Sequence, residues 1–285
     1  MLLALTLTAL AGTQQIDTTL AARQGQRLEL SAPAGEIAVG TWSRDAVRIQ
    51  ATPSGGARVE IDESPRELSV RSPGRHGRVS YRITVPPWMP LGLSGVNTSI
   101  TVDGVEGPVS AETVDGDVSL KGGSGVVSLR SVQGDVSLEG AKGRIDASSV
   151  NSDVTVRDVS GDVQVQTVNG DLRLERVQSG NVDANTVNGD VSYDGAIRPD
   201  GRYRLVTHNG DLTVAVPDGA DALVTVSTFQ GDFASDFPLA FRERRGRRME
   251  LTLGRGTARV ELESFQGTIH LKRAGPARPE SSESP

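Results

Sequence analysis

Seven aspartates recur at one place in a repeating motif: Asp117, Asp135, Asp153, Asp171, Asp190, Asp211 and Asp232. Each follows a glycine, except Asp153, which follows Ser152. If the repeats stack, these carboxylates form a column about 4.8 Å apart, the spacing of paired strands. A row of hard oxygen ligands is the chemistry of a cation edge, with calcium the natural ion. The pattern argues against that use of Asp117, Asp135, Asp153, Asp171 and Asp190. The calcium-binding nonapeptide repeat reads G-G-x-G-x-D, whereas here Asp follows Gly directly and most turns lack the second glycine. Two stacked neighbours offer an ion few protein oxygens, and calcium takes about six to eight. A turn aspartate also accepts backbone N–H groups in its own turn. That is the expected role, so no metal site is assigned.

Other polar columns accompany the aspartates. The residue before each Gly is Asp115, Gln133, Asn151, Asn169, Asn188, Asn209, Gln230 or Gln266. Such a row could present amides to a sugar. It also suits left-handed turn positions and an amide ladder between repeats, which is the expected role. A Ser/Thr column from Thr113 to Thr228 reads the same way. The one basic cluster is Arg242, Arg244, Arg245, Arg247 and Arg248, in FRERRGRRME. It contrasts with residues 97–196, which hold 7 Lys and Arg against 16 Asp and Glu. A basic loop beside an acidic slab is a candidate anion-binding loop for anionic lipid or an acidic partner. The competing reading is a solvated excursion loop.

Catalytic constellations are not expected. The sequence has no cysteine, which excludes disulfides, thiolate metal sites and cysteine nucleophiles. Its three histidines, His76, His208 and His270, lie far apart. No nucleophile elbow, P-loop or zinc signature occurs. Paired carboxylates can cleave polysaccharide, but residues 97–196 hold one aromatic, Tyr193, where a sugar platform would be needed. Neither an enzyme nor a cofactor is expected. The 285 residues carry 30 Lys and Arg against 36 Asp and Glu, a net charge of −6. That balance argues against a nucleic-acid partner.

The elements that position these columns follow from one period. Glycine falls at Gly107, Gly116, Gly125, Gly134, Gly143, Gly161 and Gly170, nine residues apart with Ser152 filling the gap. One inserted residue then gives Gly180 and Gly189. Two and four positions after each landmark stand apolar residues, as in Val118/Leu120, Val136/Leu138 and Val154/Val156. That is the alternation of a strand with one buried face. The corners alternate between (S/T)-V-x-G-D and G-x-x-G, so the true period is 18. The sequence predicts an all-β parallel β-solenoid with 18-residue coils and two strands per coil. Six-residue stepping, which would give a triangular helix, fails at Arg144 and Asp162. Val118, Val136, Val154 and Leu172 should share one interior column. With 33 glycines and only 4% aromatics, the chain suits a thin slab filled by Val, Leu and Ala.

The flanks are less regular. Residues 26–90 read as a β-rich N-terminal section, with Pro86-Pro87-Trp88-Met89-Pro90 at its junction with the regular solenoid of residues 91–196. Residues 197–273 read as irregular C-terminal coils and a cap, where Phe229, Phe233, Phe237, Phe241 and Phe265 would close the open apolar end. Residues 274–285 read as a disordered tail. At the start, Leu2 to Ala11 form an apolar run ending in Ala9-Leu10-Ala11. That is the core and A-x-A site of a signal peptide, residues 1–11, although only Met1 precedes the run. No stretch is long enough for a transmembrane helix. The expected location is outside the cytoplasm, in the periplasm or at the cell surface.

Three features taken together resemble the bacterial "putative adhesin" family of β-strand repeat proteins. They are the TVNGDL and VDGDVSL iteration, the VPPWMP junction, and the ending YRLVTHNGDLTVAVPDGADALVTVSTFQGDF with GRGTARVELESFQGTIHLKR. The resemblance spans roughly residues 26–273. It implies an exported β-solenoid of unknown function with no catalytic residues to carry over. The expected function is non-catalytic binding or scaffolding in the cell envelope, with a glycan or anionic lipid among the conceivable partners. The alternatives are a self-assembling structural solenoid and a carbohydrate-active enzyme on a β-helix.

Overall fold

The computed structural model describes residues 15–74, 77–237, 241–245 (main chain only) and 248–274. Residues 1–11, expected as a signal peptide, His76, Arg247 and residues 275–285 lie outside the described residues. Those described form strands and turns, with no helix able to cross a membrane. The first strands are β1 (Ile16–Ala21), β2 (Arg27–Thr41), β3 (Ala46–Ser54), β4 (Glu60–Glu63), β5 (Glu67–Arg71) and β6 (Arg78–Val85). Then come β7 (Leu91–Val105), β8 (Val109–Glu112), β9 (Val118–Gly122), β10 (Ser124–Arg130), β11 (Val136–Glu139) and β12 (Lys142–Ser148). They are followed by β13 (Val154–Arg157), β14 (Ser160–Gln166), β15 (Leu172–Asn188), β16 (Val191–Gly195), β17 (Arg202–Asn209) and β18 (Leu212–Val216). The last are β19 (Ala222–Gln230), β20 (Phe233–Ser235), β21 (Phe241–Arg245), β22 (Arg248–Leu253), β23 (Ala258–Gln266) and β24 (Ile269–Arg273).

The regular part is a parallel β-solenoid with two strand columns. In one, β7, β9, β11, β13, β15, β16 and β18 stack in register through Ile100, Val118, Val136, Val154, Leu172, Val191 and Leu212. The other runs β7, β8, β10, β12, β14, β15 and β17. Val118, Val136, Val154 and Leu172 therefore share one interior column, and each is almost fully buried. The cause is the period-2 alternation: Val-x-Leu or Val-x-Val triplets turn both apolar residues inward while the middle residue faces out. The columns are not separate sheets. β7 and β15 run through a corner and serve both, so pairing is continuous across all 24 strands.

One corner type rests on close approach between coils. Gly134 has φ +156°, and a Cβ there would lie 2.1 Å from the Gly116 carbonyl oxygen. The other corner needs a left-handed residue. Gly122 and Gly140 supply it, and in the next two coils Asp158 and Arg176 adopt it at φ 53°.

Both ends depart from chain order. β2 lies between β7 on one side and β5 and β6 on the other, all parallel to it. The proline-rich segment Pro86 to Pro90 carries the chain past that inserted coil, and the Pro90 carbonyl accepts from the Leu28 N–H at 3.0 Å. At the C-terminus, β23 lies between β17 and β19, and β24 between β18 and β20. The last segment in sequence is thus not the last coil in the stack. Antiparallel strands finish each end: β3 on β6, β1 on β3 and β4 on β5, then β22 on β19 and β21 on β22.

Candidate functional site

The (S/T)-V-x-G-D corner is the chemically richest edge. Each Ser or Thr side chain turns inward at the bend. From Thr113 to Thr207, and again at Ser264, the hydroxyl donates to a carbonyl in the neighbouring coil, as Ser131 does to Gly116 at 2.9 Å, Thr167 to Ser152 at 2.9 Å and Thr207 to Gly189 at 2.8 Å, whereas the Thr228 hydroxyl has no partner among the described residues. These hydroxyls are buried, so the bonds replace water for both partners. The amides run outside them. Asn169 Nδ2 donates to Asn151 Oδ1, Asn188 to Asn169 and Asn209 to Asn188, at 2.8 to 2.9 Å.

The aspartates form a third ladder. The Asp135 N–H donates to Asp117 Oδ1 at 2.9 Å, and the pattern repeats from Asp153 to Asp135, Asp171 to Asp153, Asp190 to Asp171 and Asp211 to Asp190. Thr268 N–H closes the row on Asp211. The sequence reading gave each carboxylate the N–H groups of its own turn. The structure gives it the N–H of the next coil instead, because parallel in-register stacking aims that donor along the column. Arg173 also spans two carboxylates, reaching Asp153 at 2.6 Å and Asp171 at 2.7 Å. Partial burial pushes the Asp153 carboxyl up, but bonds from the Asp171 N–H and Arg173 outweigh it and hold it below its usual range. Among the described residues no group of three or more His, Asp or Glu is disposed around a metal.

Sequence reasoning missed what stands beside these ladders. The residue after each Ser or Thr, and after Gly95 in the first such corner, faces solvent. Val96, Val114, Val132, Val150, Val168 and Val187 are 38% to 48% exposed. Register then places His208, Phe265 and Phe229 at the same position in the last three coils. Their rings stack nearly parallel, with centroids 4.6 Å apart for His208–Phe265 and again for Phe229–Phe265. The readable signal was valine recurring at one turn position where solvation favours polar residues. Phe229 and Phe265 therefore belong to this ridge and do not close the end of the stack. Phe233 and Phe237 pack against the core, while the side chain of Phe241 lies outside the described residues. Beside the valines runs a groove of about 740 Å³, lined also by Arg130 and Gln166.

The basic cluster is only partly placed. Arg242, Arg244 and Arg245 lie on β21, whose side chains are outside the described residues. Arg248 opens β22, exposed, with Glu250 3.5 Å away.

The profile of the family described as Toastrack DUF4097 matches residues 25–272. Two solved structures are similar to this chain. One is a putative cell adhesion protein from Clostridium sporogenes, at 11% identity and TM-score 0.21, covering 91% of this chain and 99% of that one. The other is a putative adhesin from Parabacteroides distasonis, at 9% identity and TM-score 0.47, covering 90% and 96%. No protein of curated function matches the chain.

Proposed function

The chain belongs to the Toastrack DUF4097 family, and we propose that it is an exported, non-catalytic, adhesin-like binding protein of the cell envelope. The observation that carries this reading is the exposed ridge, which runs through nine stacked positions from Val96 to the His208–Phe265–Phe229 rings. A contiguous apolar ridge on a rigid scaffold marks an interaction surface. Its linear form suits an extended partner lying along the stack. The turn carboxylates support a binding role over catalysis, because backbone N–H groups and Arg173 already hold them. Export rests on the LLALTLTALA run and its A-x-A site. The antiparallel strands that finish both ends weigh against end-to-end self-assembly.

The test compares binding of the purified chain to isolated cell-envelope material with that of Val132→Ser/Val150→Ser/Phe265→Ser. Selective loss of binding, at an unchanged melting temperature, supports the reading. Equal binding by both proteins contradicts it. Export is checked by sequencing the N-terminus of the envelope-associated form, which should begin near Gly12. Intact Met1 protein in the cytosol would contradict it.

A further inference from the structure

A second surface lies apart from the ridge. On the outer face of β15, β17, β23, β19 and β22 a groove of about 630 Å³ is lined by Arg202, Arg204, Arg248 and Arg259 with Asn181 and Asp183. These residues are scattered in sequence, and the swapped position of β23 brings them together. In one row across the strands, Asn181 faces Arg202 and Arg202 faces Arg259. Like charges directly opposite one another destabilise a sheet. Elsewhere arginines meet carboxylates across strands, as Arg27 meets Glu67 and Arg157 meets Glu175. The carboxylates near this pair are engaged with other arginines: Asp183 lies 3.6 Å from Arg204, and Glu250 lies 3.5 Å from Arg248. Among the described residues, Arg202 and Arg259 have no acidic partner.

We propose that this groove binds an acidic sugar through its carboxylate, gripped between the Arg202 and Arg259 guanidinium groups. Guanidinium forks match a planar carboxylate geometrically. The groove also offers acceptors for hydroxyl groups. Asn181 and Glu261 line it, Glu261 opposite Arg204 in register. A ligand with one carboxylate and several hydroxyls uses both kinds of group, whereas a simple inorganic anion uses only the arginines. The site is independent of the ridge and survives if the ridge has no partner.

Calorimetric titration of the whole chain with oligogalacturonate, its methyl ester and inorganic sulfate tests the proposal. The acid form should bind, and more weakly as salt rises. The ester should bind at least about tenfold more weakly, as should the acid form to Arg202→Gln or Arg259→Gln. Both positions are exposed, and removing one of two facing like charges should leave the melting temperature equal to the parent's or slightly higher. No binding of the acid form, equal binding of the ester, or unchanged binding by both variants would overturn the site. Sulfate binding as tightly as the oligomer would overturn the sugar assignment.

Discussion

Asp158 and Arg176 sit one coil apart at the same corner, both in the left-handed conformation, joined by two hydrogen bonds of 2.6 Å. Gly122 and Gly140 fill the equivalent position in the two preceding coils at φ 96° and 75°. The left-handed conformation costs an L-residue about 1–2 kcal/mol, least for Asp. The ion pair that Asp158 and Arg176 gain there is exposed and contributes about 0–1 kcal/mol. The glycine replacement loses about 0.4–1 kcal/mol per site through unfolded-chain entropy. Summed over the two sites, these terms place Asp158→Gly/Arg176→Gly between about 1 kcal/mol less and about 3 kcal/mol more stable than the parent, with a gain of about 1 kcal/mol at the centre. Urea melts of the two proteins check this, and a loss beyond that range would mean the ion pair outweighs the strain.

Acid should weaken the solenoid through its turn carboxylates. The Arg176 hydrogen bond holds the Asp158 carboxyl below its ordinary value of 3.8, and the balance of bonds at Asp153 acts in the same direction. A depressed folded-state pKa contributes stability that is full above the unfolded value and is lost as pH falls through the folded value. Melting temperature should therefore drop below about pH 4. The double glycine variant should have a shallower acid limb than the parent. Superimposable limbs would exclude a contribution from Asp158.

Val136 tests the interior column directly. It is buried between Val118 and Val154, so Val136→Asp would place a carboxylate where no partner exists. The expected loss is several kcal/mol, about 3 or more, seen as a fall in the midpoint of chemical unfolding. A parent-like melt would mean that residue 136 faces out.

That column was legible because burial and period-2 alternation are local properties: Val136 and Leu138 each state their face in the sequence. The corners were legible in part. Thr167 and Asn169 announce turns, but which coil's carbonyl or amide they meet depends on stacking. The ridge escaped because Val150 and Val154 look alike in composition, and only the bend between them turns one outward. The order of the last coils was not legible. Gly231 precedes Gly267 in sequence, yet β23 and β24 pair between neighbours formed by earlier segments. That choice is made by free strand edges across long separations. The arginine groove depends on the same exchange, so no spacing in the sequence signals it.

The aspartate column should respond little to calcium. Its Oδ1 atoms from Asp117 to Asp211 already accept N–H groups at 2.7 to 3.2 Å, and Arg173 bridges two of its members. An ion would have to displace these bonds and take most of its shell from water. A site that weak shifts stability little, since stabilisation grows only as the logarithm of one plus the ratio of ion concentration to Kd. Millimolar calcium or EDTA should move the melting temperature by less than about two degrees. A larger rise, abolished by Asp135→Asn/Asp153→Asn, would establish a cation edge.

The inserted C-terminal segment sets the sharpest test of the topology. In a solenoid built in chain order, removing the last segment shortens the stack by one coil and leaves the rest intact. Here β23 joins β17 to β19 along one column, and β24 joins β18 to β20 along the other. The interior residues Val260, Leu262, Ile269 and Leu271 go with them, all nearly inaccessible. A chain ending at Arg255 would leave β19 and β20 without their neighbour and would bare the edge of β17 and β18. Exposed parallel edges of that kind recruit other chains. The truncated chain should aggregate, or lose protease protection in β19 and β22, while a chain ending at Ala274 melts like the parent. A soluble Arg255-terminated chain with β19 still protected would show that β19 can dock on β17 unaided, and the inserted order would then be wrong.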